Sequence, residues 1–110
     1  MSHLTPLYPL KDVCDLAKAG KVGFSKKAQK DVQEQVGYTL DQAMECVAWL
    51  TSDEFRTRLF YEDLGTWWDD YVITRRFPDG TNRKIYVKLR IPAPSSANYV
   101  MVTSFHFEGC

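Results

Sequence analysis

Residues 83–91 read RKIYVKLRI, and an unbroken two-residue alternation over that length leaves little freedom of fold. Ile85, Val87, Leu89 and Ile91 fall on one side of an extended chain; Lys84, Tyr86, Lys88 and Arg90 fall on the other. Successive strand residues point to opposite faces, so the run predicts a half-buried strand with a cationic outer face. The run at 98–107, NYVMVTSFHF, is rich in the β-branched and aromatic residues that suit a strand. Between them Pro92, Pro94, Ser95 and Ser96 interrupt pairing, because proline has no amide hydrogen to give to a ladder. The expectation is a hairpin with an irregular loop, with Lys84, Tyr86, Lys88 and Arg90 on one face and His106 on the returning strand.

Upstream the period is helical. An extended arm over residues 1–9, containing Pro6 and Pro9, precedes an amphipathic helix from Leu10 to Ala19 with Leu10, Val13, Cys14 and Ala17 on one face. Gly20 suits the C′ position that follows. Val22–Phe24 is a short extended link. Ser25 can cap a second helix whose apolar face is Ala28, Val32 and Val36, ended by Gly37. Thr39 and Gln42 form a capping box for a third helix with Leu40, Ala43, Met44 and Val47 inward. Thr51 to Glu54 repeats the pattern in miniature. The period then becomes two: a strand over Arg56–Tyr61, a turn over Glu62–Gly65, and a long strand over Thr66–Phe77. Pro78-Asp79-Gly80 is a turn before the hairpin already described. Helices first and strands second make an α+β fold, with N-terminal helices on one face of a mostly antiparallel sheet. The whole chain, residues 1–110, reads as one domain.

Charge is balanced overall, with 14 basic and 14 acidic residues, so distribution carries more information than the total. From Tyr71 onward Arg75, Arg76, Arg83, Lys84, Lys88 and Arg90 meet only Asp79 and Glu108. No apolar run approaches the ~20 residues of a membrane span, and residues 1–10 lack the basic and apolar regions of a signal peptide. A cytoplasmic protein with no membrane partner is expected. Cys14, Cys46 and Cys110 are scattered, and the histidines are His3 and His106 alone, which predicts neither a metal site nor a cofactor. Cys14 and Cys46 lie on apolar helix faces and read as core thiols.

Phosphate-binding glycine loops, Gly-x-Ser-x-Gly and HExxH are missing from the sequence. The chemistry available lies on the sheet. Metal-free RNA cleavage needs a base for the 2′-hydroxyl, cations for charge building on phosphorus, and an acid for the leaving 5′-oxygen. Tyrosine, histidine, lysine and arginine on one open face supply all three. The alternative is that Tyr86 only packs across the ladder and the cations only solvate the surface. Trp67 and Trp68 must face opposite ways, as must Asp69 and Asp70. A DNA-reading helix is disfavoured, since even the nearest candidate, with Lys26, Lys27 and Lys30, lacks base-reading positions.

The order and spacing of several short pieces resemble the motility quorum-sensing regulator toxins, the MqsR family. They are Thr5-Pro6, then Leu10, Val13, Leu16 and Ala19-Gly20-Lys21-Val22, then Val36-Gly37 and Val47 to Leu50-Thr51 before Phe55. Trp68-x-Asp70, Tyr86-Val87-Lys88-Leu89 and Ser104-Phe105 complete them. The resemblance implies a RelE/YoeB-like fold and an mRNA interferase of a toxin–antitoxin pair, cutting single-stranded mRNA and neutralised by a cognate antitoxin protein. The family's catalytic tyrosine falls on Tyr86. Its lysine after the phenylalanine falls on Thr57, its glutamine after the tryptophan on Asp69, and its C-terminal lysine on His106. These types suggest an altered acid–base set of Tyr86, His106 and Asp69, with Arg56 or Arg58 and Lys88 on the phosphate and Lys84, Arg90 and Arg75 as further RNA contacts. The competing expectation is a non-cleaving relative that binds an antitoxin-like partner or RNA.

Overall fold

A computed structural model describes residues 5–92 and 98–109. The order of elements is α1 (Leu10–Lys18), β1 (Val22–Phe24), α2 (Lys26–Lys30) running on into a π-helical turn (Asp31–Val36), and α3 (Leu40–Ala48). A 3₁₀ turn (Ser52–Glu54) leads to β2 (Phe55–Tyr61), β3 (Thr66–Arg76), β4 (Asn82–Arg90) and β5 (Val100–Phe107). Most of the loop expected between the last two strands, residues 93–97, lies outside the described residues, as does the start of the arm, residues 1–4.

The local signals act as expected. The Ser25 hydroxyl accepts the Ala28 amide at 3.1 Å and starts α2. Thr39 and Gln42 satisfy each other's amides at 3.1 and 2.9 Å and start α3. Gly20 and Gly37 hold φ of 77° and 82° after their helices, a conformation that is unstrained only without a Cβ. Ala28, Val32 and Val36 are all buried, although the helix widens midway.

The five strands form one mixed sheet in the order β1-β5-β4-β3-β2. β2, β3, β4 and β5 pair antiparallel in sequence. The link Val22–Phe24 becomes an edge strand that pairs parallel with β5, Val22 opposite Val100 and Phe24 opposite Val102. One face of the sheet, bearing Tyr71, Ile73, Ile85, Val87, Leu89, Val100, Val102, Phe105 and Phe107, joins Val13, Ala17, Val32, Val36, Ala43, Val47 and Leu50 of the helical layer in a single core. Cys14 and Cys46 belong to this layer, and the Cys14 thiol donates weakly to the Leu50 carbonyl at 3.6 Å. The helices therefore cover one face and leave the other to β-strand side chains.

Two bulges set what the uncovered face carries. In β2 the register advances by two residues, Phe55 to Thr57, while β3 advances by one, Tyr71 to Asp70. Arg56 is the extra residue, so Phe55 packs its ring on Tyr71 in the core while Thr57, Leu59 and Tyr61 turn to the other face. In β5, Leu89 opposes Val102 but Lys88 opposes Ser104, which leaves Thr103 as the extra residue. An unbroken alternation from Val100 would bury His106 under the helices. The bulge shifts the phase, and His106 stands opposite Tyr86 on the uncovered face.

Candidate active site

The uncovered face is built from four neighbouring strands. Across the ladder Val72, Tyr86 and His106 form one row, and Asp70, Lys88 and Ser104 form the next, with Thr57 of β2 beside Asp70. Lys84 lies one step beyond Tyr86 and Arg90 one step beyond Lys88, since same-face residues recur every second position.

At the centre the Tyr86 hydroxyl donates to Asp70 Oδ2 at 2.6 Å. Burial pushes the phenol far up, and the hydrogen bond to Asp70 and that group's charge push it further, since both favour the neutral form. Burial also raises Asp70, against the lowering effects of the Tyr86 bond and the Lys88 charge. The His106 ring lies against Tyr86 with centroids 5.3 Å apart. His106 Nδ1 sits 2.9 Å from the Phe107 carbonyl oxygen. That oxygen can only accept, so Nδ1 carries a hydrogen and Nε2 is left for other partners. Lys88 donates its ammonium to the Tyr61 hydroxyl at 2.8 Å. Trp68 is buried on this same face, with the Lys88 and Arg90 cations 5.7 and 5.4 Å from its ring. The arrangement is a polar strip: a proton-bearing Tyr–Asp pair, an imidazole beside it, and cations at both ends.

Of the residues expected from sequence, Tyr86, His106, Lys84, Lys88 and Arg90 share this face. Asp69, Arg58 and Arg75 do not. Asp69 is fully buried on the helical side, where its two carboxylate oxygens accept the Leu7 and Tyr8 amides at 3.0 and 2.8 Å. Alternation along β3 requires this: once Asp70 faces Tyr86, Asp69 must face away. Arg58 opposes Asp69 across the β2–β3 ladder, with its guanidinium 5.8 Å from the Trp67 ring. Arg75 is also on the helical side, 3.6 Å from Glu54. Arg56 occupies the β2 bulge and is exposed. Thr57 is on the uncovered face, where its hydroxyl donates to the Arg58 carbonyl at 3.4 Å.

Sequence reasoning passed over Asp70 and Tyr61. The signal for Asp70 was present in the hairpin register. The turn after Phe77 places Arg76 opposite Asn82, and stepping back along both strands brings Asp70 opposite Lys88. Tyr61 carried no comparable signal, because its face depends on the bulge at Arg56.

The family model for the motility quorum-sensing regulator, toxin of MqsA, matches residues 5–106, nearly the whole chain. The chain belongs to the MqsR toxin family. Membership makes it the toxin of a toxin–antitoxin pair, in a family that is generally of mRNA interferases and whose antitoxin is MqsA. The α+β architecture, helices on one face of a five-stranded sheet, agrees with the MqsR assignment. Among curated proteins the chain finds no match. No helix among the described residues is long and apolar enough to cross a membrane.

Proposed function

We propose that this MqsR-family chain is an endoribonuclease that cleaves single-stranded mRNA without a metal, by attack of the 2′-hydroxyl on the adjacent phosphate. The observation that carries the reading is the meeting of Tyr86 and His106 on the uncovered face, rings 5.3 Å apart, between Lys84 on one side and Lys88 and Arg90 on the other. In this reading Tyr86 receives the 2′-hydroxyl proton. His106, as an imidazolium, delivers a proton from Nε2 to the leaving 5′-oxygen. Lys88 and Arg90 attract the phosphate as its charge grows. The half-buried setting of these groups strengthens that attraction relative to open water.

The test is cleavage of a single-stranded RNA in EDTA by the wild type, Tyr86→Phe and His106→Ala. Each substitution is expected to lower the rate by ~10²–10⁴-fold, the range for loss of a proton-transfer group. The competing reading, a chain that binds RNA or antitoxin without cutting, draws support from Thr57 at the family's lysine position. It predicts no cleavage, and growth arrest on expression that survives Tyr86→Phe.

The antitoxin is the second partner. Phe60, at 47% exposure, and Trp67, at 42%, pack with tilted rings 5.1 Å apart on the side of the sheet opposite Tyr86. Phe60 belongs to β2 and Trp67 to β3, and among the described residues β2 pairs only with β3 and so offers a free edge. A strand of the antitoxin added to that edge, with apolar side chains on Phe60 and Trp67, is the mode this surface supports.

A further inference from the structure

Tyr86 poses a problem of proton balance. Its phenol is held far above the ordinary range, so it does not serve as a free tyrosinate near neutral pH. A neutral hydroxyl can take a proton only if it passes its own onward. Its hydrogen already points at Asp70 Oδ2, 2.6 Å away, which leaves the lone pairs of the phenolic oxygen for a substrate hydroxyl.

Asp70 is suited to receive that hydrogen. It is 4% exposed, and its Oδ1 is buried with no hydrogen-bond partner among the described residues. A buried carboxylate with an unpaired oxygen is poorly stabilised as an anion, and neutralising it relieves that cost. The titratable groups around it are Tyr86 and Lys88 of β4, Tyr61 of β2 holding the Lys88 ammonium, His106 of β5 beside Tyr86, and Asp69 on the other face of β3. Lys88 stands directly across the ladder, and its charge favours the ionised form of Asp70 against the burial that disfavours it.

Resting on the ribonuclease reading, we propose that Asp70 is the positioning residue and proton acceptor of Tyr86. As the 2′-oxygen bonds to phosphorus, its proton passes to the Tyr86 oxygen and the phenolic proton passes to Asp70 Oδ2. The bond from phosphorus to the 5′-oxygen breaks, and that oxygen takes the Nε2 proton of His106. The products are a 2′,3′-cyclic phosphate and a 5′-hydroxyl. One proton has moved in net from His106 to Asp70, and exchange with water resets both. Asp70 touches no substrate atom and acts through Tyr86.

The test compares wild type, Asp70→Asn, Tyr86→Phe and the double variant under single-turnover conditions across a pH series. Asparagine keeps an oxygen for the Tyr86 hydroxyl but does not take its proton. The expected result is a ~10²–10³-fold fall in kcat for Asp70→Asn with KM little changed, within the range for a lost proton-transfer partner. The double variant should be no slower than Tyr86→Phe alone, because the two groups act as one unit. The acid limb of the wild-type pH profile should vanish in Asp70→Asn. Binding of a 2′-deoxy oligonucleotide by Asp70→Asn, unchanged or tighter, shows that the face is intact. Asp70→Asn within threefold of wild type, losses that multiply in the double variant, or an acid limb that persists each overturn the relay while the ribonuclease stands. Cleavage indifferent to Tyr86→Phe removes Tyr86 from the reaction and the relay with it, and a wild type that does not cleave removes the ribonuclease reading and the relay together.

Discussion

Replacing Asp69 by alanine removes both acceptors that tie the amino-terminal arm to the sheet. The Leu7 and Tyr8 amides lie 3.0 and 2.8 Å from its oxygens, and the side chain is fully buried. A hydrogen bond to a charged group contributes about 1.5–3 kcal/mol, so two contribute roughly 3–6 kcal/mol. Against that stands the cost of burying the carboxylate, which is large enough to push its pKa up despite both amides. That offset cancels the gain of the carboxylate itself, so the loss on substitution comes from the two amides left without acceptors, at about 1–3 kcal/mol each, or about 2–4 kcal/mol together because both are partly open to water. At ~4–8 °C per kcal/mol for a domain near 100 residues, the melting temperature should fall by about 8–32 °C. Thermal and urea melts measure the loss, and RNA cleavage is then compared at a temperature where both proteins are folded. Cleavage per folded molecule should stay within a few-fold of wild type, because Asp69 faces away from Tyr86. Deleting residues 1–8 supplies a second arm of the test. It leaves the carboxylate without its two donors, so in that background the cost of Asp69→Ala should disappear or change sign. An unchanged melting temperature refutes the anchoring argument. A 10²-fold loss of cleavage at unchanged stability returns Asp69 to the reaction.

Three further outcomes are open to measurement. If Lys84, Lys88 and Arg90 each neutralise a phosphate, log K for a 2′-deoxy single strand should fall with log salt at a slope near −2, and each alanine substitution should reduce it by ~0.7; Arg75→Ala, on the far face, should leave it unchanged, and an equal effect from Arg75 sinks the assignment of faces. Asp70 holds its proton more tightly folded than unfolded, so its contribution to stability is full below the unfolded value of ~3.9 and is lost as pH rises through the folded one. The stability of Asp70→Asn relative to wild type should therefore climb with pH across that window and level off above it, and a flat difference in urea midpoints counts against the burial argument. Phe60→Asp should weaken antitoxin binding by at least tenfold in a titration, the scale of a lost apolar anchor, while leaving RNA cleavage unchanged; undiminished binding places the antitoxin elsewhere.

The sequence by itself determined the parts that near neighbours encode. Thr39 with Gln42, Ser25 with Ala28, and Gly20 and Gly37 act within a few residues of one another, and each starts or ends a helix as read. The alternation from Lys84 to Arg90 likewise settled which of its side chains share a face, because that property belongs to the strand alone. The order of short pieces along the chain was enough to indicate the family. Tertiary structure decided which faces meet. Asp69 and Asp70 are adjacent and chemically alike, yet one anchors the arm and the other binds Tyr86, a division made by register with β4. Val22–Phe24 became a strand only because β5 lay alongside it. His106 reaches Tyr86, and Thr57 and Tyr61 share their face, through single extra residues at Thr103 and Arg56. A bulge is set by hydrogen bonds between distant segments, and inserting one residue reverses the facing of every side chain beyond it.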